Sequence, residues 1–449
     1  MRSMLSGLVA ATLLAVSLAG PGRAAESAVV LDIAHLQDQT LDNGLRVIIK
    51  SEPYWRAVAL GAVIRSGSKD DPADASGAAH LVEHLLFEPA TPGKSLSVEV
   101  ENLGGFVNAQ TGTDSTQITL AVASQFAPDL MPRLAATIFG AKFTEEQVAA
   151  SKSIILRELQ DRDSTVLGRL DALTSALAFT KHPYGQPITG TADSVTKLTV
   201  KDAQDFYDKH YVPGNVALIA VGDQDPTAFF ALARQHFGGL PATPRAAEAL
   251  PVEPPQTAAR TQVVQLPVPN TVMRYAWPGP GIASQAEVCA MDLIYTALDR
   301  GETSLLNRNL EQKNLALSSQ VGFLTQKYPG LFTVTVITTP DQELPARQAL
   351  LAAIADLRDK QFNDEELAYL KKLLYADYAF ENQSYPDQVG TLAFYEAILN
   401  YRFATTYLSA CNAVTAAQIQ AAARKYLRED NYNLVIFRPQ AGPAEGNDV

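Results

Sequence analysis

Cysteine, histidine, positive charge and long apolar runs are all scarce in this 449-residue chain, and each shortage excludes something. Two cysteines, Cys289 and Cys411, are too few for a disulfide framework or a zinc ribbon. They read as buried thiols, and spacing does not say whether they pair. Lys and Arg number 36 against 48 Asp and Glu, leaving a net charge of −12. That balance disfavours nucleic acid and anionic membrane surfaces as partners. With 47% hydrophobic and 19% charged residues, the composition is that of a globular chain rather than a disordered one.

The apolar run that does occur lies at the start. Arg2 precedes the apolar stretch Met4 to Ala19, and Gly20 to Ala25 ends in small residues. Residues 1–25 therefore read as a secretory signal peptide cleaved near Ala24 or Ala25. No cysteine follows it to take a lipid, and no later stretch approaches the ~20 apolar residues of a membrane span. The expectation is an exported protein, periplasmic in a bacterium, with no membrane anchor after cleavage.

Histidine is the scarcity that speaks to function. Of the six, two stand in His80-Leu81-Val82-Glu83-His84. Histidines four apart share one helix face, so both imidazoles can reach one metal ion. Glu83 shares that face and can take a proton from a water on the metal, the H-x-x-E-H arrangement of zinc peptidases. A catalytic zinc needs a third protein ligand and one open position. Glu158 is the candidate: Thr144 and Gln147 form a capping box that starts its helix, and Ile154, Ile155, Leu156 and Leu159 surround it. A carboxylate among such neighbours is expected to be buried and paired with a metal; the alternative is a solvated helix-face glutamate.

Two similar halves are expected. Residues 29–238 read as an N-terminal zinc-binding domain, 239–261 as a proline-rich linker, 262–438 as a C-terminal homologous domain and 439–449 as a tail. The fold class is α+β, each domain an antiparallel sheet covered by helices on one face, the two facing each other across a cleft. An Asn43-Gly44 turn opens the first sheet, and strands at 107–113 and 117–122 pair. In the second half, helices are expected at 286–298, 304–316, 343–360, 364–381 and 416–426.

The stretch Gly77 to Phe87 resembles the metal helix of the pitrilysin family, which includes insulin-degrading enzymes and mitochondrial processing peptidases. The resemblance continues through Gly104 to Thr111, Ile155 to Glu158, His182 to Gly185 and His210 to Asn215. It implies one Zn2+ per chain bound by His80, His84 and Glu158, Glu83 as general base, and a peptide or unfolded protein substrate. Asn108 and Ala109 match the family's substrate-facing segment, on a strand whose free edge could take up an extended peptide; Asn108 alone also reads as a turn residue. His182 and His210 read as structural, and Asp114 and Thr116 as loop stabilisers.

Two departures stand out. Ser151 occupies the place of a frequent acidic residue seven positions before the third ligand. Leu310 and Leu317 stand where active single-chain relatives carry an arginine and a tyrosine that grip the substrate; Arg300, Arg308 or Lys313 are the residues that could compensate. An intact metal helix without that grip points to the zinc-bearing half of a heterodimer, whose homologous partner subunit lacks the zinc motif. The alternative is a non-catalytic peptide-binding or assembly subunit.

Overall fold

A computed structural model describes residue 31 and residues 35–88, 95–247 and 249–440. The expected signal peptide and residues 441–449 of the tail lie outside the described residues.

The first sheet contains β1 (Leu36–Thr40), β2 (Arg46–Ser51), β3 (Ala57–Ile64), β4 (Phe106–Thr111), β5 (Thr116–Ala123) and β6 (Val216–Gly222). Their order is β1-β2-β6-β3-β5-β4, which leaves β4 as an edge strand. The second sheet contains β7 (Arg260–Leu266), β8 (Thr271–Pro278), β9 (Ser318–Phe323), β10 (Leu331–Thr338) and β11 (Asn433–Pro439). It runs β7-β11-β8-β10-β9. Without β1, the two orders are identical. Each sheet is antiparallel except for one parallel pair, β2 with β6 and β7 with β11. The closing strand of each half returns after a long helical excursion and inserts in the middle, where a crossover permits parallel pairing.

Helices of the first half are α1 (Ala78–Phe87), α2 (Leu96–Asn102), α3 (Ala127–Phe139), α4 (Glu145–Ser164), α5 (Val166–Ala178), α6 (Ala192–Lys197), α7 (Val200–His210) and α8 (Pro226–Phe237). Those of the second are α9 (Gln285–Asp299), α10 (Glu343–Asp359), α11 (Asp364–Phe380), α12 (Tyr385–Ile398), α13 (Arg402–Ala413) and α14 (Ala416–Tyr426). The Asn43-Gly44 turn forms as expected: Gly44 takes φ +91°, and Asn43 Oδ1 accepts from the Leu45 N–H at 3.1 Å. The capping box of Thr144 and Gln147 is present at the start of α4.

Each sheet has its own helices on one face, as expected, but the other face is covered too. α12 of the second half lies across β3, β5 and β6, placing Val389, Leu392 and Ala393 in one core with Ala59, Val63, Ala217 and Ile219. Reciprocally, α5 of the first half packs on β8 and β11, where Leu170 joins Val272, Val435 and Phe437. Apolar burial on both faces explains why β6 reads Val-Ala-Leu-Ile-Ala-Val-Gly with every residue buried.

The helix expected at 304–316 is not formed. A single π turn at Asn307–Glu311 replaces it, and Asn314 at φ 56° directs the chain outward toward β9. The sequence predicts no helix at α2, α6, α12 or α13.

Candidate metal centre

α1 begins at Gly77, whose φ of +96° favours a residue without Cβ. Asp71 caps it from the preceding loop, accepting from the Gly77 N–H at 2.7 Å and the Ala79 N–H at 2.8 Å. Burial pushes the Asp71 carboxyl up to about 7 despite these bonds. Ala78, Ala79, Leu81, Val82, Leu85 and Leu86 are buried in the first core. That packing leaves His80, Glu83 and His84 on the half-buried remaining face.

α4 brings Glu158 to the same place. Its Oε2 lies 3.4 Å from His84 Nε2 and 3.8 Å from His80 Nε2, and one ligand atom from each of the three residues falls within 4.8 Å of the others. Among the described residues this is the one such group of His, Cys, Asp and Glu side chains. Tetrahedral ligands at about 2.1 Å from zinc would stand about 3.4 Å apart, so these separations suit the ion. The side-chain exposures are 12% for His80, 17% for His84 and 45% for Glu158. Glu158 is therefore not buried, contrary to the argument from its apolar neighbours. Ile155 and Leu159 are buried, but Ile154 and Leu156 are only half-buried, and Glu158 stands at the border of the buried stripe, facing the histidines of α1. Burial, and then the His84 charge, push His80 down to about 4, so it rests as the neutral imidazole that binds metals.

Glu83 is oriented by a residue that sequence reasoning gave no role. Thr111, the last residue of β4, donates its hydroxyl to Glu83 Oε2 at 2.6 Å. Burial raises the Glu83 carboxyl above its usual range; the Thr111 hydroxyl and His84 partly oppose this. Only the register of the β4–β5 hairpin, in which Thr111 faces Thr116, puts Thr111 there. The two expected substrate residues lie on the same strand but face opposite ways. Ala109 packs against the first core, while Asn108 is exposed on the other face.

The remaining expectations fall out as follows. Ser151 is buried with its hydroxyl unpartnered, as is Nδ1 of His80. His182 Nδ1 accepts from the Tyr184 N–H at 3.2 Å, and His210 Nδ1 is 2.7 Å from Ser66 Oγ, both away from the centre. Asp114 does more than hold its loop: it accepts from Tyr184 Oη at 2.7 Å and from the Lys327 N–H of the second half at 3.0 Å. Thr116 donates to the Ser66 carbonyl at 3.2 Å. Leu310 is fully buried and Leu317 is exposed. Arg300 is held by Asp377 at 2.9 Å, Lys313 donates to Asn309 at 3.0 Å, and Arg308 is exposed on the π turn. Cys289 and Cys411 are free, buried thiols.

In element order, α9 holds the place in the second half that α1 holds in the first, and it carries no histidine. Two sequence profiles of one family match the chain in order. Residues 46–192 match the one described as insulinase, peptidase family M16, and residues 197–374 match the peptidase M16 inactive domain. An uncharacterized zinc protease of Mycobacterium tuberculosis is 31% identical over 202 residues, covering 44% of this chain and 46% of the relative. The match thus spans about half the length of that relative. Zinc protease PqqE of Helicobacter pylori is 25% identical over 412 residues, covering 89% of this chain and 92% of its own. The crystal structure of a protease from Helicobacter pylori has the same fold, with a TM-score of 0.82 at 24% identity over 90% of this chain and 99% of that one. With both halves matched in order and the metal helix in the first, this chain belongs to the M16 peptidase family.

Proposed function

We propose that the chain is the zinc-bearing subunit of an endopeptidase that cuts peptides or unfolded segments, with His80, His84 and Glu158 holding one Zn2+ and Glu83 acting as general base. The observation that carries this reading is the convergence of three ligand atoms beside a carboxylate fixed by Thr111. Bound there, zinc would lower the pKa of a coordinated water toward neutrality and polarise a peptide carbonyl. Glu83 takes the proton of the attacking water and returns it to the leaving amine.

The substrate lies along the free edge of β4, main chain to main chain, so no fixed sequence is required. Asn108 and Ala109 flank it from either face of the strand. β4 ends at Thr111, beside Glu83, so a peptide paired with this strand runs to the base.

The partner follows from what the second half lacks. Leu310 is core and Leu317 cannot donate a hydrogen bond, while Arg300 and Lys313 are engaged elsewhere. A homologous subunit without the zinc motif, supplying the arginine and tyrosine, completes the site. Export rests on the signal-like residues 1–25; among the described residues no helix is long and apolar enough to cross a membrane. The division at 239–261 into two homologous domains belongs to the same reading.

The test is metal analysis and peptide hydrolysis on the native protein copurified with its partner. One zinc per chain and chelator-sensitive cleavage are expected. Glu83→Gln should keep the zinc while cleavage falls by about 100-fold or more. Full activity in Glu83→Gln would sink the reading. Zinc without cleavage in the wild type would favour the non-catalytic alternative.

A further inference from the structure

β4 has a second face that the metal centre does not use. Phe106, Asn108 and Gln110 alternate away from the side where Thr111 meets Glu83. They open on a cavity of about 510 Å³, closed from the other half by the end of α11 and the start of α12. A peptide added to β4 presents alternate side chains to the two faces of the sheet. One set faces α1, and the other enters this cavity.

The cavity's chemistry is one-sided. Its charged lining residues are Glu381 and Asp387, and no Lys, Arg or His lines it among the described residues. Phe106 of β4 is 47% exposed, and the half-buried Phe394 of α12 also lines the cavity. Asp387 accepts from the Ser384 N–H at 3.2 Å and so is fixed in place by its own helix cap. Glu381 is exposed to solvent; partial desolvation, then the Asp377 charge, raise it above the ordinary carboxylate range, and Arg300 offsets this only in part. Arg300 is itself paired with Asp377 at 2.9 Å. Two carboxylates with no basic residue among the lining suit a cation arriving from outside, and the exposed ring of Phe106 suits a long apolar stem or a planar guanidinium.

We propose that this cavity between β4 and α11–α12 is a subsite for an arginine or lysine side chain of a peptide bound along β4. The proposal rests on the reading of β4 as the peptide-binding edge. The side chain enters at a position whose neighbours in the peptide face the metal helix. Glu381 pairs with its charge, and Phe106 and Phe394 hold its stem. Selectivity of this kind favours basic, unfolded segments in a chain whose own net charge is −12.

The experiment uses the zinc-loaded full chain with its partner, made cleavage-incompetent by Glu83→Gln, and fluorescent peptides in extended form. The peptides differ at one position at a time by arginine, citrulline, norleucine or glutamate, and anisotropy reads the affinity. At one position, arginine should bind about fivefold more tightly than citrulline, as one partly exposed ion pair provides. Glu381→Gln should bring that ratio to about 1, and Glu381→Lys should reverse it in favour of glutamate, a reversal that mere structural damage does not give. Binding with no arginine preference at any position, or a preference untouched by both Glu381 variants, overturns the subsite and leaves the endopeptidase reading standing. If no peptide binds at all, strand addition to β4 fails and both readings fall.

Discussion

Thr111 reaches Glu83 through its hydroxyl, with a lesser contribution from its backbone N–H, and the hydroxyl is the part that substitution can remove. Thr111→Val keeps the volume and removes the donor, so kcat should fall about tenfold with KM little changed, as for other groups that orient a metal-site residue. Thr111→Ser should restore most of the rate. A variant with unaltered kcat would show that Glu83 needs no orienting partner. A second residue acts on stability alone. Asp292 in α9 is half-buried, accepts from Tyr407 Oη at 2.8 Å, and is pushed up to about 7 by desolvation. A carboxyl raised in the folded state stabilises fully below its ordinary value near 4, and that contribution is lost as pH rises through about 7. The shift corresponds to a few kcal/mol at most, on the order of 4. Asp292→Asn should flatten the dependence of stability on pH between about 4 and 7, read from denaturant unfolding. A slope equal to that of the wild type would assign the titration to another group.

At the scale of elements, legibility follows the amphipathic period. α1, α4 and α7 each bury one stripe, so their limits and the shared face of His80 and His84 can be read from spacing. α12 cannot be read in this way. Gln388, Val389, Leu392, Ala393, Tyr395, Glu396, Ala397 and Ile398 are all buried, around the helix rather than along one side. Pro386 and Gly390 also read as breakers when its packing partners are unknown. Glu158 is singled out by its place in α4 and again by the resemblance, but the expectation that it is buried fails, since its side chain is 45% exposed. Thr111 depends on a strand register that no local pattern states. The packing of α12 gives its own prediction. A Cβ at Gly61 of β3 would stand 2.3 Å from Val389 Cγ1, so Gly61→Ala forces the helix off the sheet. Overpacking of this kind costs about 1–3 kcal/mol. Val389→Ala in the same chain should recover most of it, whereas additive losses in the double variant would mean the two sites do not touch.

The whole molecule is held by an exchange. α1 and α4 build the metal centre entirely within the first half, yet the sheet beneath them has its outer face covered by α12 of the second. Remove the second half, and Ile48, Ala59, Val63, Ala217, Ile219 and Val221 lose their cover. Contiguous apolar surface of that size drives association in water. The second sheet stands in the same position, since α5 supplies Leu170 against Val435 and Phe437. Two homologous halves would ordinarily be expected to fold as separate domains joined by a linker. The exchange predicts otherwise. Residues 35–247 expressed alone should aggregate or bind a hydrophobic dye without a cooperative melt, and residues 249–440 should do the same. Coexpressed as two chains, they should copurify as a 1:1 complex that melts cooperatively, because the helices can still cross. A first half that is monomeric, cooperative and zinc-binding by itself would overturn this account. If the prediction holds, the second half is required for the metal centre although it contributes no ligand, since it completes the surface on which α1 and α4 are set.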